Sequence, residues 1–167
     1  ISYMTIGGLQ GAIAAFIGQN YGANKMDRIH AGYKIALAMT IGFGLLTSLL
    51  FILLPEQLFS IFISEPDSIK LGADYMRILG YSQVFMCMEL LTVGAFNGLG
   101  KTYIPPIFSI IFTVLRIPMA ILLSGPFGLN GVWMSIAISS LLKGVVLVIW
   151  FMFTLRKIKN KTARIHA

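Results

Sequence analysis

Five stretches of this chain repeat one pattern, a run of about twenty mostly apolar residues closed by a short polar connection. They cover Ile1 to Ala23, Ile35 to Leu54, Ile78 to Gly98, Thr102 to Ser124 and Gly131 to Leu155. A helix of ~20 such residues, rising 1.5 Å each, crosses the ~30 Å hydrocarbon core of a bilayer. None of the runs alternates with the period of two that a membrane barrel requires, and lipid cannot satisfy the backbone of an open strand. The pattern therefore predicts an all-α membrane protein with five transmembrane helices. The first two runs are uncharged, the third contains Glu89, the fourth Arg116 and the fifth Lys143.

Composition agrees with the pattern. Of 167 residues, 57% are hydrophobic and 11% are charged, where a soluble domain carries about a quarter charged. A globule of this size has too little interior to hide so much apolar side chain. A soluble enzyme or a nucleic-acid-binding domain is thereby excluded as the first reading. The net charge of +7 resides in the connections. Lys25, Arg28 and Lys34 separate runs one and two, Lys101 separates three and four, and Arg156, Lys157, Lys159, Lys161 and Arg164 follow the fifth. The opposite side has only Lys70 and Arg77, set among Glu56, Glu65, Asp67 and Asp74. The positive-inside rule makes the basic side cytoplasmic, so residues 156–167 form a basic cytoplasmic tail and Ile1 lies at the outer face. That arrangement is the one expected of a fragment whose upstream portion delivered Ile1 there.

Local signals refine the elements. Ser64-Glu65-Pro66-Asp67 has the spacing of a capping box with proline early in the helix. Lys70, Asp74 and Arg77 then share a face of a helix that starts in the outer interface. Pro105-Pro106 suits a first turn, and Pro118 is expected to kink the fourth span. In the first span Gly7, Gly11, Ala14, Ala15, Gly18 and Gly22 form a small-residue stripe that lets another helix come close. Gln19 and Asn20 near its end can hydrogen-bond across to a neighbour.

Glu89 is the most informative residue. It lies about eleven residues into its span, and an ionised carboxylate at mid-depth costs at least ~2.5 kcal/mol. Such a group can exchange a proton, coordinate a cation, or serve structurally as the partner of Arg116 or Lys143. Arg116 and Lys143 are weaker candidates, because a long stem can carry its charge toward either face. Ala95 to Thr102 nearly fits a P-loop, but Ala95 replaces the first glycine and the stretch closes a membrane helix instead of following a strand. His30 and His166 have no partners at ligand spacing, so no metal site is indicated. Cys87 has no second cysteine to pair with. No nucleophile–base arrangement appears, and the chain reads as a non-enzyme without cofactor.

A resemblance follows from four stretches in order. Gly18-Gln19-Asn20-Tyr21-Gly22-Ala23 followed by Arg28 resembles the Gly-Gln-x-x-Gly-Ala signature of the multidrug and toxic-compound extrusion (MATE) family. Phe96-Asn97-Gly98-Leu99-Gly100-Lys101-Thr102 with Pro105 resembles its Gly-x-Gly-x-Thr-x-x-Pro region. Arg116-Ile117-Pro118 and Gly128-Leu129-Asn130-Gly131-Val132-Trp133 resemble two further stretches. The resemblance implies helices eight to twelve of a twelve-helix, two-lobe antiporter, with residues 1–155 a partial C-terminal lobe. Gly18, Gln19, Gly22, Gly98, Gly100, Pro105 and Pro118 would be its structural motif residues. It implies a secondary antiporter exporting drugs or organic cations in exchange for sodium ions or protons, in the inner (plasma) membrane of a bacterium. Cys87-Met88-Glu89 aligns with a coupling acid of some members, so Glu89 would bind the coupling cation, with sodium as the possible metal, or a cationic substrate. Implied partners are membrane lipid, a small cationic or amphipathic substrate, the N-terminal lobe and the seventh helix, with no nucleic acid. Two alternatives stay open: a lipid or lipid-linked oligosaccharide flippase of the same superfamily, and a non-transporting membrane scaffold.

Overall fold

The computed structural model describes residues 2–165, with side chains for residues 4–160. The side chains of Lys161 and Arg164, and all of His166, lie outside the described residues. The described residues are helical apart from short links, without strands: α1 (Ser2–Gly22), α2 (Met26–Leu53), α3 (Pro55–Ser60), α4 (Pro66–Gly98) and α5 (Ile104–Ile165). Three helical stretches are long and apolar enough to cross a membrane: Met26–Leu53, Pro66–Gly98 and Ile104–Asn160. The last contains two spans, because the backbone leaves helical geometry at Gly128 (φ 56°, ψ −133°) and the chain folds back. Phe108 then lies beside Trp150, Arg116 beside Ser139 and Leu123 beside Gly131. α1 is 21 residues long and uncharged, so it has the length of a span, while its glycines and amides dilute its apolar character.

The first half of α5 contains Pro118 and Pro126, and the helical geometry gives way at Gly128, inside the predicted connection between the fourth and fifth runs. A positive φ is open to glycine without Cβ strain, which is why the reversal falls there. Gly100 (φ 71°) serves likewise in the tight link from α4 to α5.

α4 is the helix on which the others pack. Along it, and opposite it, glycines replace side chains wherever two backbones meet. A Cβ on Gly94 would strike the carbonyl of Gln10, and one on Gly98 the carbonyl of Ala14, both on α1. A Cβ on Gly44 of α2 would sit 2.9 Å from Cα of Val84, and one on Gly144 of α5 would meet the Phe85 carbonyl. The Ser48 hydroxyl donates to the Gly80 carbonyl at 2.7 Å and ties α2 to α4. Toward the basic end the core is aromatic: Phe151 lies 4.4 Å from Tyr33 and 5.0 Å from Phe96 between ring centroids, with Ile17, Ile29 and Leu91 around them.

Three local expectations are corrected. The small-residue stripe of α1 makes the close contact only in part: the Ala14 carbonyl meets Gly98 and Gly18 nears the Gly98 carbonyl, whereas Gly7, Gly11 and Gly22 have open space where a Cβ would be. The approach also uses the glycines of α4, because it is their face that meets α1. Asn20 does not reach a neighbour; its Nδ2 donates to the Phe16 carbonyl one turn back at 2.8 Å. Ser64 is not the cap of α4. Glu65 holds that place, Pro66 opens the helix, and the Ser68 hydroxyl donates to the Glu65 carboxylate at 2.8 Å.

The connections segregate by charge. At one end Lys159 of α5 pairs with Asp27 of α2 at 2.7 Å, and Lys101 and Lys157 line one cavity. At the other, Arg77 pairs with Asp74 at 3.5 Å and with Glu56 of α3 at 3.4 Å, and Tyr75 packs on Trp133. The basic connections are thus one end of the bundle.

The packing yields a prediction. Gly94→Ala, which by helix propensity alone would gain up to ~1 kcal/mol, is expected to destabilise the bundle by about 1–3 kcal/mol because backbone, not a flexible side chain, blocks the methyl. Gly42→Ala on α2, with open space at that point, is expected to be neutral or stabilising. Thermal unfolding of the detergent-solubilised protein measures both, and equal melting temperatures for the two variants would refute the close-approach account.

Candidate functional site

The third span brings its carboxylate to the fifth. Glu89 lies on the face of α4 that meets the second half of α5, where the Lys143 Nζ sits 2.8 Å from Glu89 Oε1. Both side chains are nearly enclosed, at 13% and 11% exposure. The approach depends on Gly144, next to Lys143, whose missing side chain lets α5 lie against the Phe85 carbonyl one turn before Glu89. Two charges taken out of water are tolerated together, since each compensates the other.

Arg116 is placed elsewhere. Its Nε donates to the Ser139 hydroxyl at 2.9 Å, and that hydroxyl in turn donates to the Ile136 carbonyl. Of the two cations offered as partners for Glu89, the fold selects Lys143. The reason is register: residues 116 and 139 face each other across the α5 hairpin, whereas Lys143 lies one turn further on, against α4.

Glu89 also opens onto a cleft of about 300 Å³ between α4 and the start of α5. Val93 and Asn97 continue its face of α4 at four-residue steps, and Thr102, Pro105 and Ser109 form the opposite wall. Pro105, singled out by its motif, is thus beside Glu89. Asn97 and Ser109 were not singled out by chemistry. Asn97 was within reach of the sequence, because it lies two turns from Glu89 on one helical face, but Ser109 needed the fold. The remaining motif residues divide by place. Gly98 and Gly100 shape the link from α4 to α5, Gly18 touches the Gly98 carbonyl, Gln19 and Gly22 are exposed at the end of α1, and Pro118 is exposed on α5.

A second polar contact lies one turn from Glu89. The Thr92 hydroxyl donates to the Met88 carbonyl at 2.7 Å, so the Tyr33 hydroxyl, 2.8 Å away, donates to Thr92. This chain of hydrogen bonds fixes α2 against the α4 turn that carries Glu89. Cys87 is buried beside it. Among the described residues no three His, Cys, Asp or Glu groups cluster to hold a metal.

Comparison with known proteins places this arrangement. The profile of the MatE family matches residues 1–122, most of the chain. This chain belongs to the MatE family. It is similar to the "Probable multidrug resistance protein NorM" of Thermotoga maritima, with 24% identity over 91% of this chain and 33% of that protein. It is similar also to the human "Multidrug and toxin extrusion protein 1", with 24% identity over 100% of this chain and 30% of that protein. The chain therefore spans about a third of the curated MatE relatives it matches. In three dimensions it resembles a multidrug resistance MATE transporter in an inward-facing conformation, with a TM-score of 0.85 at 22% identity over 95% of this chain and 38% of that one. It resembles equally a MATE structure in complex with MaL6, with a TM-score of 0.86 at 20% identity over 95% and 37% of the two chains. The helical arrangement is that of part of these MATE structures.

The pair makes an asymmetric prediction. Lys143→Met leaves the Glu89 charge enclosed and unpaired, and is expected to destabilise the protein by about 3–5 kcal/mol. Glu89→Gln with Lys143→Met removes both charges and is expected to restore most of that loss. Thermal unfolding of the three proteins in detergent checks it; a double variant no more stable than Lys143→Met would show that the two charges do not depend on each other.

Proposed function

We propose that the whole protein is a secondary antiporter of the inner (plasma) membrane, exporting drugs or organic cations while sodium ions or protons enter. Its C-terminus is cytoplasmic, and an N-terminal lobe and a seventh helix complete the transport cavity. The observation that carries this reading is Glu89: a carboxylate within the apolar part of α4, at the wall of a cleft, with the Lys143 ammonium 2.8 Å away.

The chemistry follows from charge balance. Glu89 and Lys143 together are neutral, which is what an enclosed site tolerates. A second cation at Glu89 has to take the place of the Lys143 ammonium, and a proton on Glu89 releases the same ammonium. Proton, sodium ion and cationic substrate thus compete for one carboxylate, and competition for one site is what lets an inward ion flow drive an outward substrate flow. The Lys143 stem, four carbons long, can withdraw the charge without moving the helix. The flippase alternative asks for free cations to meet a lipid phosphate; Lys143 is neutralised by Glu89 and does not favour that reading, while Arg116, bonded only to the Ser139 hydroxyl, keeps its charge.

Dye extrusion tests the proposal. The whole protein, in vesicles under imposed sodium or proton gradients in turn, is expected to export a cationic dye under one of them. Glu89→Gln at equal abundance is expected to fall to the level of empty vesicles. Lys143→Gln is expected to lower the apparent KM for the dye, since no internal ammonium has to leave. Extrusion by Glu89→Gln at the wild-type rate would remove Glu89 from coupling.

A further inference from the structure

One cavity at the basic end has no part in the reading above. It measures about 500 Å³ and lies between the α4–α5 link and the last turns of α5. Lys101 comes from the link and Lys157 from the far end of α5, so the fold brings together two cations 56 residues apart in sequence. Among the described residues no carboxylate is on the cavity wall. Among the described residues neither lysine is in an ion pair, whereas Lys159, two positions from Lys157, is held by Asp27. The Thr154 hydroxyl stands on the same wall.

Below these polar groups the cavity is aromatic. Tyr103, Trp150 and Phe153 line it, each at least half exposed, and Trp150 is steadied by Phe108 at 5.5 Å between ring centroids. Tyrosine and tryptophan at the level where a basic connection meets an apolar span mark the headgroup region of a bilayer, and basic pockets between helices at that level hold lipid phosphates. The volume is in the range of small-ligand sites.

We propose that this cavity binds an anionic phospholipid. Lys101 and Lys157 hold the headgroup phosphate, Thr154 donates to it, and the exposed faces of Trp150 and Phe153 lie along the upper part of an acyl chain. The partner is a lipid and not a free phosphate, because most of the wall is apolar and open where lipid would lie. An anionic headgroup is selected over a zwitterionic one, because a choline cation would meet two ammonium groups and no acid.

The test is native mass spectrometry of the whole detergent-solubilised protein incubated with equal amounts of phosphatidylglycerol and phosphatidylcholine. Preferential retention of phosphatidylglycerol is expected. Lys101→Gln with Lys157→Gln is expected to weaken that retention roughly 30-fold, on the basis of about 5-fold per lysine at a membrane surface. Lys101→Arg with Lys157→Arg is expected to keep it, and so is Lys25→Gln with Lys34→Gln, which removes the same charge from the same end. If the double glutamine variant does not fold, each single variant is read for its roughly 5-fold loss. Equal retention of phosphatidylcholine, an unchanged double glutamine variant, an equal loss in the Lys25/Lys34 control, or displacement of the lipid by millimolar inorganic phosphate would each overturn the proposal.

Discussion

The rest of the structure depends on how closely α4 lets its neighbours come. In water, helices are driven together by the apolar surface they hide; in lipid that drive is absent, and association rests on packing and on hydrogen bonds between helices. α4 meets this constraint by removing side chains at the contact. Gly94 and Gly98 accept the carbonyls of Gln10 and Ala14, and the facing Gly44 and Gly144 let α2 and α5 reach the backbone of α4 at Val84 and Phe85. The hydrogen bond from Ser48 to the Gly80 carbonyl then adds a polar tie that lipid cannot offer. Long apolar helices remain exposed on the outer faces of α2 and α5, as a bilayer or neighbouring helices require.

The ion pair follows from that closeness. Glu89 and Lys143 are each unfavourable inside a membrane helix, and only a short, enclosed contact makes both tolerable. Gly144 supplies the approach, and the antiparallel hairpin of α5 supplies the register, which sends Arg116 to Ser139 and leaves Lys143 for Glu89. A pair of this kind has two natural uses, as a structural clamp or as a site where an incoming cation exchanges with a tethered one. The cleft along Val93 and Asn97 leaves one side of Glu89 open, away from Lys143.

The same folding geometry concentrates positive charge. Links that are distant in sequence meet at one end of the bundle, where Asp27 neutralises Lys159 and nothing among the described residues neutralises Lys101 and Lys157. The far end balances its charges in place, with Arg77 between Asp74 and Glu56. The difference between the two ends is one of pairing as well as number.

The sequence by itself determined the all-helical, membrane-spanning class, the segregation of charge and the identity of the ionisable groups within the apolar runs, while the helices α2 and α4 begin well before the apolar runs do. Each of these depends on composition within a window of about twenty residues, and a bilayer allows such a window few other outcomes. The motif residues around Gly98, Gly100 and Pro105 were legible for a similar reason, since a tight link between two helices restricts its residue types locally. The tertiary structure alone decided which faces meet. The α1 stripe was visible, yet the glycines that matter for the contact sit on α4, because small residues permit an approach without specifying a partner. The gap between the fourth and fifth runs was visible, and the reversal came inside it, at Gly128, where a positive φ is available without strain. Glu89 had two candidate cations, and only the register of the α5 hairpin against α4 chose Lys143. Partner choice is a property of several helices at once, and no window along one of them contains it.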